Sequence, residues 1–499
     1  MDLATLRERT LELTRGLARM ELADARGQAD GAFSEAFAPF ADVVGVESFA
    51  RVAEARQVAQ EKGEERRARR LRALAGHLLS LAGLAGAAEA HDRIARVETA
   101  STVPGTAAGE RLAFRTACRT VAQTARRDAR AALDASLSEA WSTANDAVAR
   151  AIDAQEEAAR QRGFASHAAA VKELSGIDLA VLAAEADRFL EATEAMYRDV
   201  LGWWLGRVFE RRPSPREIER HDVVYAFGPP AFEGLLPRGD PSARLAVDFA
   251  RMGLDQAASE RLKIDVAEAP ARVIAPTAVA CEVPDEVHLV ARPCAGLRDA
   301  SAFFAACGEA LSLTGTDAAR PFEDRFAGDR ATTKAFGVLI GSWLTDRRWL
   351  AKRLEATAPD LVRVVALHAL RRARRAAALL GHELAAHAQG ARSRLARGFV
   401  DRMEAATLAR EPAAFFLRGL ETPFESAAEL RSLALGTRLF ETARERFDED
   451  WWANPRTGPW LAGLFAGGRF DGAAEMAKSL GPAPLSLGDV TRRLQALLE

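Results

Sequence analysis

Apolar residues recur at spacings of three and four along most of the chain, which is the pattern of amphipathic α-helices. In residues 131–159, for example, apolar side chains repeat at this spacing with Asp, Glu and Arg between them. The pattern covers the first 200 residues, and it returns after Gly296 and continues almost to the C-terminus. Since Ala, Leu, Arg and Glu are abundant and favour helix, we predict a mainly α-helical protein.

One part of the chain departs from this pattern. Residues 271–283 and 287–293, ARVIAPTAVACEV and VHLVARP, are short, rich in Val and bounded by Pro, Asp and Gly. Segments of this kind are typical of β-strands. We therefore predict a pair of strands, which an apolar helix and then a second helix follow.

The segment LLGHELAAHAQG looks similar to the HExxH motif of zinc peptidases, because it contains His-Glu followed by a second His. In that motif the two histidines are four residues apart, so they lie about 40° apart around the helix and bind one ion. His382 and His387 are five residues apart, which separates them by about 140°. An unbroken helix cannot direct both rings at one metal. We predict instead a surface pair between Glu383 and His387, which share a helix face.

Several segments, in order, resemble the thimet oligopeptidase and oligoendopeptidase-like zinc peptidases, which are gluzincins. They are ATEAMYRDVLGWWL, RHDVVYAF and VPDEVHLVARP, and downstream DRRWLAKR and RFDEDWWANP. The resemblance implies a large, elongated helical body in two lobes around a deep groove, with a small sheet beside the zincin-like site. It also implies an N-terminal helical lobe over residues 1–178 and a peptidase-like lobe over residues 179–499, with the active-site helix over residues 303–312.

The residues that this family uses to bind zinc are replaced in this chain. The family carries H-E-x-G-H on its first active-site helix, where this chain has Ala-Ala-Cys-Gly-Glu at residues 305–309. Ala305 and Ala306 stand for the first His and the catalytic Glu, and Glu309 stands for the second His. The third ligand, a Glu on the next helix, corresponds to Lys334. Because activation of a zinc-bound water needs three protein ligands and a base, we expect no catalytic residue, no metal and no cofactor.

Five further residues are candidates for the groove. The family uses tyrosines of a late loop to stabilise its tetrahedral intermediate, and the matching positions here are Glu425 and Glu429. The resemblance also places His221 and Tyr225 near the cleft, although a structural role at a helix entry is the alternative for His221. His288 lies in the second predicted strand, where it faces either the core or the groove wall.

Glu309 and Lys334 replace two ligands that point at one ion in the family. If the backbone is retained, their charged ends converge. We therefore predict an ion pair between them in the former metal cavity, with the ammonium group roughly where zinc would lie.

Composition limits the partners of the protein. The chain has 499 residues, with 68 Lys and Arg against 70 Asp and Glu, so bulk charge does not attract nucleic acid or anionic lipid. The most apolar window, residues 73–88, is too short to span a bilayer and contains His77. The N-terminus is charged and amphipathic, and the four cysteines show no metal-binding spacing, so we read them as free. We expect a cytoplasmic protein.

Together these features predict a catalytically inactive homologue of the oligopeptidases, a pseudopeptidase. Its groove would bind a peptide or protein partner of unknown identity, because an edge strand can pair with an extended chain without a metal. The role would be binding, regulation or scaffolding. One alternative is a metal-dependent oligopeptidase with a rearranged site, such as Glu309 with His382 or His387. Another is a purely structural subunit of a larger assembly.

Overall fold

The structure is a computed structural model that describes residues 1–28, 32–209, 214, 217–254, 260–355, 359–390 and 393–499. Over these residues the protein is mainly α-helical with two small sheets, which confirms the predicted fold class. Among the described residues no single helix is long and apolar enough to span a membrane, and one bent pair of consecutive helices, Glu65–Gly86 with Ala88–Ala100, meets that test only when the two are joined.

The helices before the larger sheet are α1 (Leu3–Arg26), α2 (Phe33–Phe37), α3 (Ala41–Val44), α4 (Val46–Glu61), α5 (Glu65–Gly86), α6 (Ala88–Ala100), α7 (Phe114–Val121), α8 (Arg127–Ser142), α9 (Asn145–Gln161), α10 (His167–Ser175), α11 (Leu179–Val208), α12 (Arg220–Ala226) and α13 (Ser242–Met252). Those after it are α14 (Gly296–Thr314), α15 (Phe322–Arg325), α16 (Arg330–Gly341), α17 (Arg347–Leu354), α18 (Pro359–Gln389), α19 (Leu395–Thr407), α20 (Glu425–Phe447), α21 (Thr457–Phe465), α22 (Gly472–Leu480) and α23 (Leu487–Leu498). Short 3₁₀ turns cover Ala38–Phe40, Ser342–Thr345, Ala413–Phe415 and Trp451–Ala453.

The larger sheet contains the two strands that the sequence predicts. In chain order the strands are β1 (Thr102–Pro104), β2 (Arg111–Ala113), β3 (Leu262–Val266), β4 (Thr277–Glu282) and β5 (Glu286–Ala291). β1 and β2 form a small antiparallel pair. In the larger sheet β5 is central, with β3 parallel to it on one side and β4 antiparallel on the other. Among the described strands none pairs with the outer edge of β4, so the backbone groups along this edge have no strand partner there.

Helices α14 and α16 pack so closely that their backbones touch. A Cβ atom at Gly337 would lie 2.5 Å from the carbonyl oxygen of Ala305, and a Cβ atom at Gly308 would overlap the carbonyl oxygen of Phe336. Asp329 caps the start of α16, because its carboxylate accepts a hydrogen bond from the backbone of Ala331 at 3.0 Å. The two glycines therefore fix the separation of the two helices on which the resemblance places the active site.

Buried apolar side chains form clusters that cross the predicted lobe boundary. One cluster joins residues of α6 to α9 with residues of α18, of α19 and of the segment 415–420, and it contains both Trp141 and Phe399. Another joins α1 to α6, α9 and α10 with the larger sheet and α14, and it contains both Leu74 and Val287. The apolar core is thus continuous across the predicted boundary at residue 178. All four cysteines are buried and free, as predicted.

Candidate functional site

A cavity of about 560 Å³ lies between the edge strand and the helices α14, α16, α18, α20 and α23. Residues 274–278, which lead into and begin β4, form one side of it. Five of the positions identified in the sequence line this cavity together: Ala305, Ala306, Glu309, Lys334 and Glu429. The structure therefore brings both active-site helices of the resemblance to one chamber beside the sheet edge.

The floor of the cavity is one face of α14. Arg298, Ala302, Ala305, Ala306 and Glu309 all line the chamber, and their spacing places them on the same side of a helix. The middle of this face carries small side chains, the methyl groups of the alanines and the hydroxyl group of Ser301, so a ligand can approach the helix closely. Its two ends carry a guanidinium and a carboxylate group.

Lys334 forms an ion pair in this cavity, but Glu425 is its partner. Lys334 Nζ lies 2.8 Å from Glu425 Oε1, and Arg330 approaches the other oxygen of the same carboxylate at 3.0 Å. Burial alone would lower the pKa of Lys334, but the carboxylates of Glu309 and Glu425 outweigh it, and the pKa is raised. The ammonium group is therefore charged, and it occupies the side of the cavity where the third zinc ligand of the resemblance would lie.

The predicted contact between Glu309 and Lys334 is wrong. Within the described residues, Lys334 forms its ion pair with Glu425 and none with Glu309. Glu309 instead accepts a hydrogen bond from Thr333 Oγ1 at 3.4 Å. The reason is that Glu425, at the first position of α20, reaches the ammonium group directly. Glu309 acts on Lys334 only through its charge.

The residues in the cavity do not fit a zinc ion. His368 is the one histidine that lines the described cavity. Of the carboxylates that line it, Asp299 contacts Arg119 at 3.0 Å and Glu429 contacts Arg372 at 2.9 Å. A zinc site needs three neutral or anionic ligands around one point, whereas Lys334 contributes a positive charge.

A three-residue group on the sheet comes nearer to metal-binding geometry, but cations already contact it. The ligand atoms of Cys281, Glu286 and His288 lie within 4.8 Å of one another, outside the cavity lining. Arg26 lies 3.4 Å from His288 Nδ1, and Lys263 lies 3.5 Å from Glu286 Oε1. These cations compete for the lone pairs that a metal would need. His288 therefore lies in the sheet, toward α1, and does not line the cavity.

His221 and Tyr225 also lie away from this cavity. His221 lines a separate pocket of about 440 Å³ and contacts Glu219 at 2.7 Å and Asp222 at 3.3 Å. Glu219 and Asp222 form the capping box at the start of α12, so His221 has the structural role at a helix entry. Tyr225 stacks on Phe209 with ring centroids 6.1 Å apart.

The predicted surface pair between Glu383 and His387 is also wrong. Glu383 is buried and accepts a hydrogen bond from Ser426 Oγ. His387 Nδ1 instead contacts Glu156 at 2.7 Å, and His382 Nε2 contacts the carbonyl oxygen of Phe416 at 2.6 Å. Neither histidine lines the cavity. This geometry gives no support to a rearranged metal site that combines them with Glu309.

Sequence reasoning missed Arg298 and His368. Both line the cavity, at the end where α14 begins. Arg298 follows the predicted strand pair by five residues, and its position in the first turn of a helix was readable from the sequence. His368 lies on α18, and no pattern in the sequence relates it to α14.

Comparison with known proteins is informative only at the level of structure. No protein-family model matches the sequence, and no curated protein matches it significantly. A structure described as oligoendopeptidase F from Bacillus anthracis str. Ames superposes with a TM-score of 0.64 at 11% identity, over 93% of this chain and 85% of that one. A structure of PZ peptidase A with an inhibitor gives 0.63 at 11% identity, over 92% and 86%. A further structure described as oligoendopeptidase F gives 0.63 at 11% identity, over 99% and 97%.

The chain thus has the same fold as the structures described as oligoendopeptidase F and PZ peptidase A. The resemblance seen in the sequence is confirmed for the fold, over nearly the whole length of the chain.

Proposed function

We propose that the protein binds peptides in the cavity beside β4 and does not hydrolyse them. The observation that carries this proposal is the pairing of an open strand edge with an alanine floor. Residues 274–278 line the cavity opposite Ala305 and Ala306, the positions at which the resemblance predicts a zinc ligand and the catalytic base. An extended peptide can hydrogen-bond to the free edge of β4 and place its side chains over this floor.

Binding without hydrolysis follows from the chemistry of the side chains. Methyl groups at residues 305 and 306 can neither bind zinc nor accept a proton from water. The Lys334–Glu425 pair adds a cation where a metal cation would need a ligand. We therefore propose that the protein holds no catalytic zinc and acts as a binding, regulatory or scaffold protein. A near-neutral net charge supports a peptide or protein partner over nucleic acid.

Peptide capture with a cavity-filling variant tests this function. The full chain is incubated with a mixture of random pentapeptides, and the bound peptides are identified by mass spectrometry after ultrafiltration. Ala302→Phe fills the floor and should reduce the bound peptide at least about tenfold, since a steric block acts on the contact itself. Ala53→Phe changes an exposed alanine of α4 and should bind peptides as the unaltered protein does.

The same mixture also tests for hydrolysis. We expect every peptide to be recovered intact after long incubation, with or without added zinc. Cleavage that a chelator abolishes would show a metal-dependent peptidase instead. If the unaltered chain retains no peptide, the proposed function is wrong, and the alternative of a purely structural subunit is favoured.

A further inference from the structure

One end of the cavity carries a positive charge that the protein does not fully neutralise. Arg298 lies in the first turn of α14 and lines the chamber. Its nearest carboxylate is Asp299, whose Oδ1 lies 3.6 Å away. The other oxygen of Asp299 is taken by Arg119 at 3.0 Å and by the backbone N–H of Ala295 at 3.3 Å. Asp299 is thus shared by two guanidinium groups, and it is closer to Arg119.

A buried histidine lies close enough to Arg298 for the charge of the guanidinium group to act on it. His368 is 8% exposed and lines the cavity. Within the described part of the chain it makes no hydrogen bond or ion pair, and its only ring contact is with Phe227, at 5.1 Å between centroids. Buried polar groups normally have a hydrogen-bond partner, so an unpaired imidazole facing a cavity has a donor or acceptor free for a ligand.

The surroundings favour an anion over a cation at this point. Arg372, one turn after His368 on α18, also lines the cavity and is paired with Glu429. The amino end of α14, a helix of 19 residues, adds the positive pole of its dipole beside Arg298. A carboxylate is an anion that matches this arrangement, because a guanidinium group binds it through two parallel hydrogen bonds.

The length of the floor indicates what the carboxylate is attached to. Arg298 and Glu309 are eleven residues apart on one face of α14, which is about 16 Å along the helix axis. An extended peptide of about five residues covers that distance. Apolar side chains of the facing helices, among them Val338, Leu433 and Leu494, also line the cavity. A short extended chain with a carboxylate at one end fits this space.

We propose that Arg298 and His368 bind the free C-terminal carboxylate of a peptide whose chain runs over the alanine floor toward Glu309. This inference rests on the proposed peptide-binding function and specifies its ligand. It makes the end of the peptide, and not only its backbone, a determinant of affinity. It also predicts that a protein segment without a nearby C-terminus binds weakly.

The test compares peptides that differ only at their end. The full chain is titrated with the random pentapeptide mixture as free acids, with the same mixture as C-terminal amides, and with amides whose last residue is Glu. We expect the free acids to bind about ten- to a hundredfold more tightly than the amides, the usual worth of a hydrogen bond to a charged group. Arg298→Gln should remove this difference, whereas Arg126→Gln, at an exposed arginine outside the cavity, should keep it.

Each outcome separates this inference from the proposed function. Equal binding of acids and amides would overturn the carboxylate site while leaving peptide binding intact. Tight binding of the Glu-ending amides alone would assign the site to a side-chain carboxylate and overturn the C-terminal assignment. Absence of binding in all three arms would overturn the proposed function itself. If Arg298→Gln does not fold, the comparison on the unaltered protein decides alone.

Discussion

Single charged residues inside the protein form a network whose members depend on one another. Asp222 is the clearest case, because it is buried and contacts Arg130 at 2.8 Å and Arg127 at 2.9 Å. Burial alone would raise the pKa of this carboxyl group, but His221 and the two arginines hold it well below its ordinary value. Removal of one member of such a group leaves a buried charge without a partner.

Asp222→Asn should therefore lower the free energy of unfolding by about 3 kcal/mol, since Arg130 would keep its charge in the interior. The measurement is urea unfolding at neutral pH. Because the pKa of Asp222 is depressed in the fold, its contribution is present at neutral pH and is lost on acidification, so the difference between variant and unaltered protein should shrink at low pH. Asp128→Asn, in an exposed pair with Arg126, should change stability little.

The contribution of Glu383 to stability should depend on pH in the opposite direction. Burial raises the pKa of Glu383 to about 8, from an ordinary value of 4.5. Between these values the unfolded chain has lost a proton that the folded protein keeps, so stability falls as pH rises. The slope for this one group is at most about 1.4 kcal/mol per pH unit.

Glu383→Gln removes that proton and keeps an acceptor for Ser426. We expect the free energy of unfolding of this variant to depend less on pH between 5 and 8 than that of the unaltered protein, measured by urea unfolding across a pH series. Glu157→Gln, at an exposed glutamate, is the control. Parallel pH profiles for all three proteins would contradict the assignment.

The pairing of helices α14 and α16 is the feature at the element scale that defines the site. Their backbones touch at Gly308 and Gly337, and α20 packs on the other side of α16 through Gly436, whose Cβ would lie 2.8 Å from the carbonyl oxygen of Ala335. Helices α14, α16 and α20 are thus held at backbone contact distance. A methyl group at any of these glycines needs a helix to move.

Gly337→Ala should lower the free energy of unfolding by about 1–3 kcal/mol, because the new methyl group meets the backbone of Ala305. Gly341→Ala is a matched control at the end of the same helix, since a Cβ atom there meets nothing within 4 Å. That substitution should be neutral or stabilising by up to about 1 kcal/mol through helix propensity. Thermal unfolding of the two variants side by side measures the difference, and equal losses would contradict the close packing.

The sequence predicts elements better than it predicts their partners. Strands β4 and β5 were predicted because their Val-rich runs end at Pro and Asp. Strand β3 was not, because the segment LKIDV mixes exposed and half-buried positions at the sheet edge. The fold class and the meeting of residues 305, 306, 309 and 334 follow from the order of segments.

The sequence does not predict which distant residues contact each other, and the reason is physical. Lys334 contacts Glu425 rather than Glu309, and His387 contacts Glu156 rather than Glu383. Periodicity tells which face of a helix a charge occupies, but the partner comes from another helix that packs there. His368 and Arg298 likewise come to line one cavity through the packing of α18 near α14.

At the scale of the whole molecule, the two parts of the chain share a continuous core. Leu74 and Val287 belong to one apolar cluster, and Trp141 and Phe399 belong to another. Ion pairs also link the two parts, such as Arg70 with Asp324 at 2.8 Å, where Asp324 is fully buried. A lobe taken alone would expose these surfaces to water.

Residues 179–499 expressed alone should therefore not fold as they do in the full chain. We expect the fragment to aggregate or to bind a dye for exposed apolar surface, because clusters shared with residues 1–178 lose their other half. The full chain should unfold in one cooperative transition. A fragment with sharp thermal unfolding and a native-like near-ultraviolet spectrum would contradict the shared core. Co-expression of the two parts serves as the control.

The ion pair between Lys334 and Glu425 has an evolutionary consequence. A mutation that gave residue 334 an acidic side chain would place it beside Glu425, close to the charge of Glu309, with the ammonium group gone. An acidic residue at position 334 would thus bring like charges together before any cation could bind between them. A change toward a set of metal ligands would have to pass through a less stable protein, and this barrier keeps the ion pair in place.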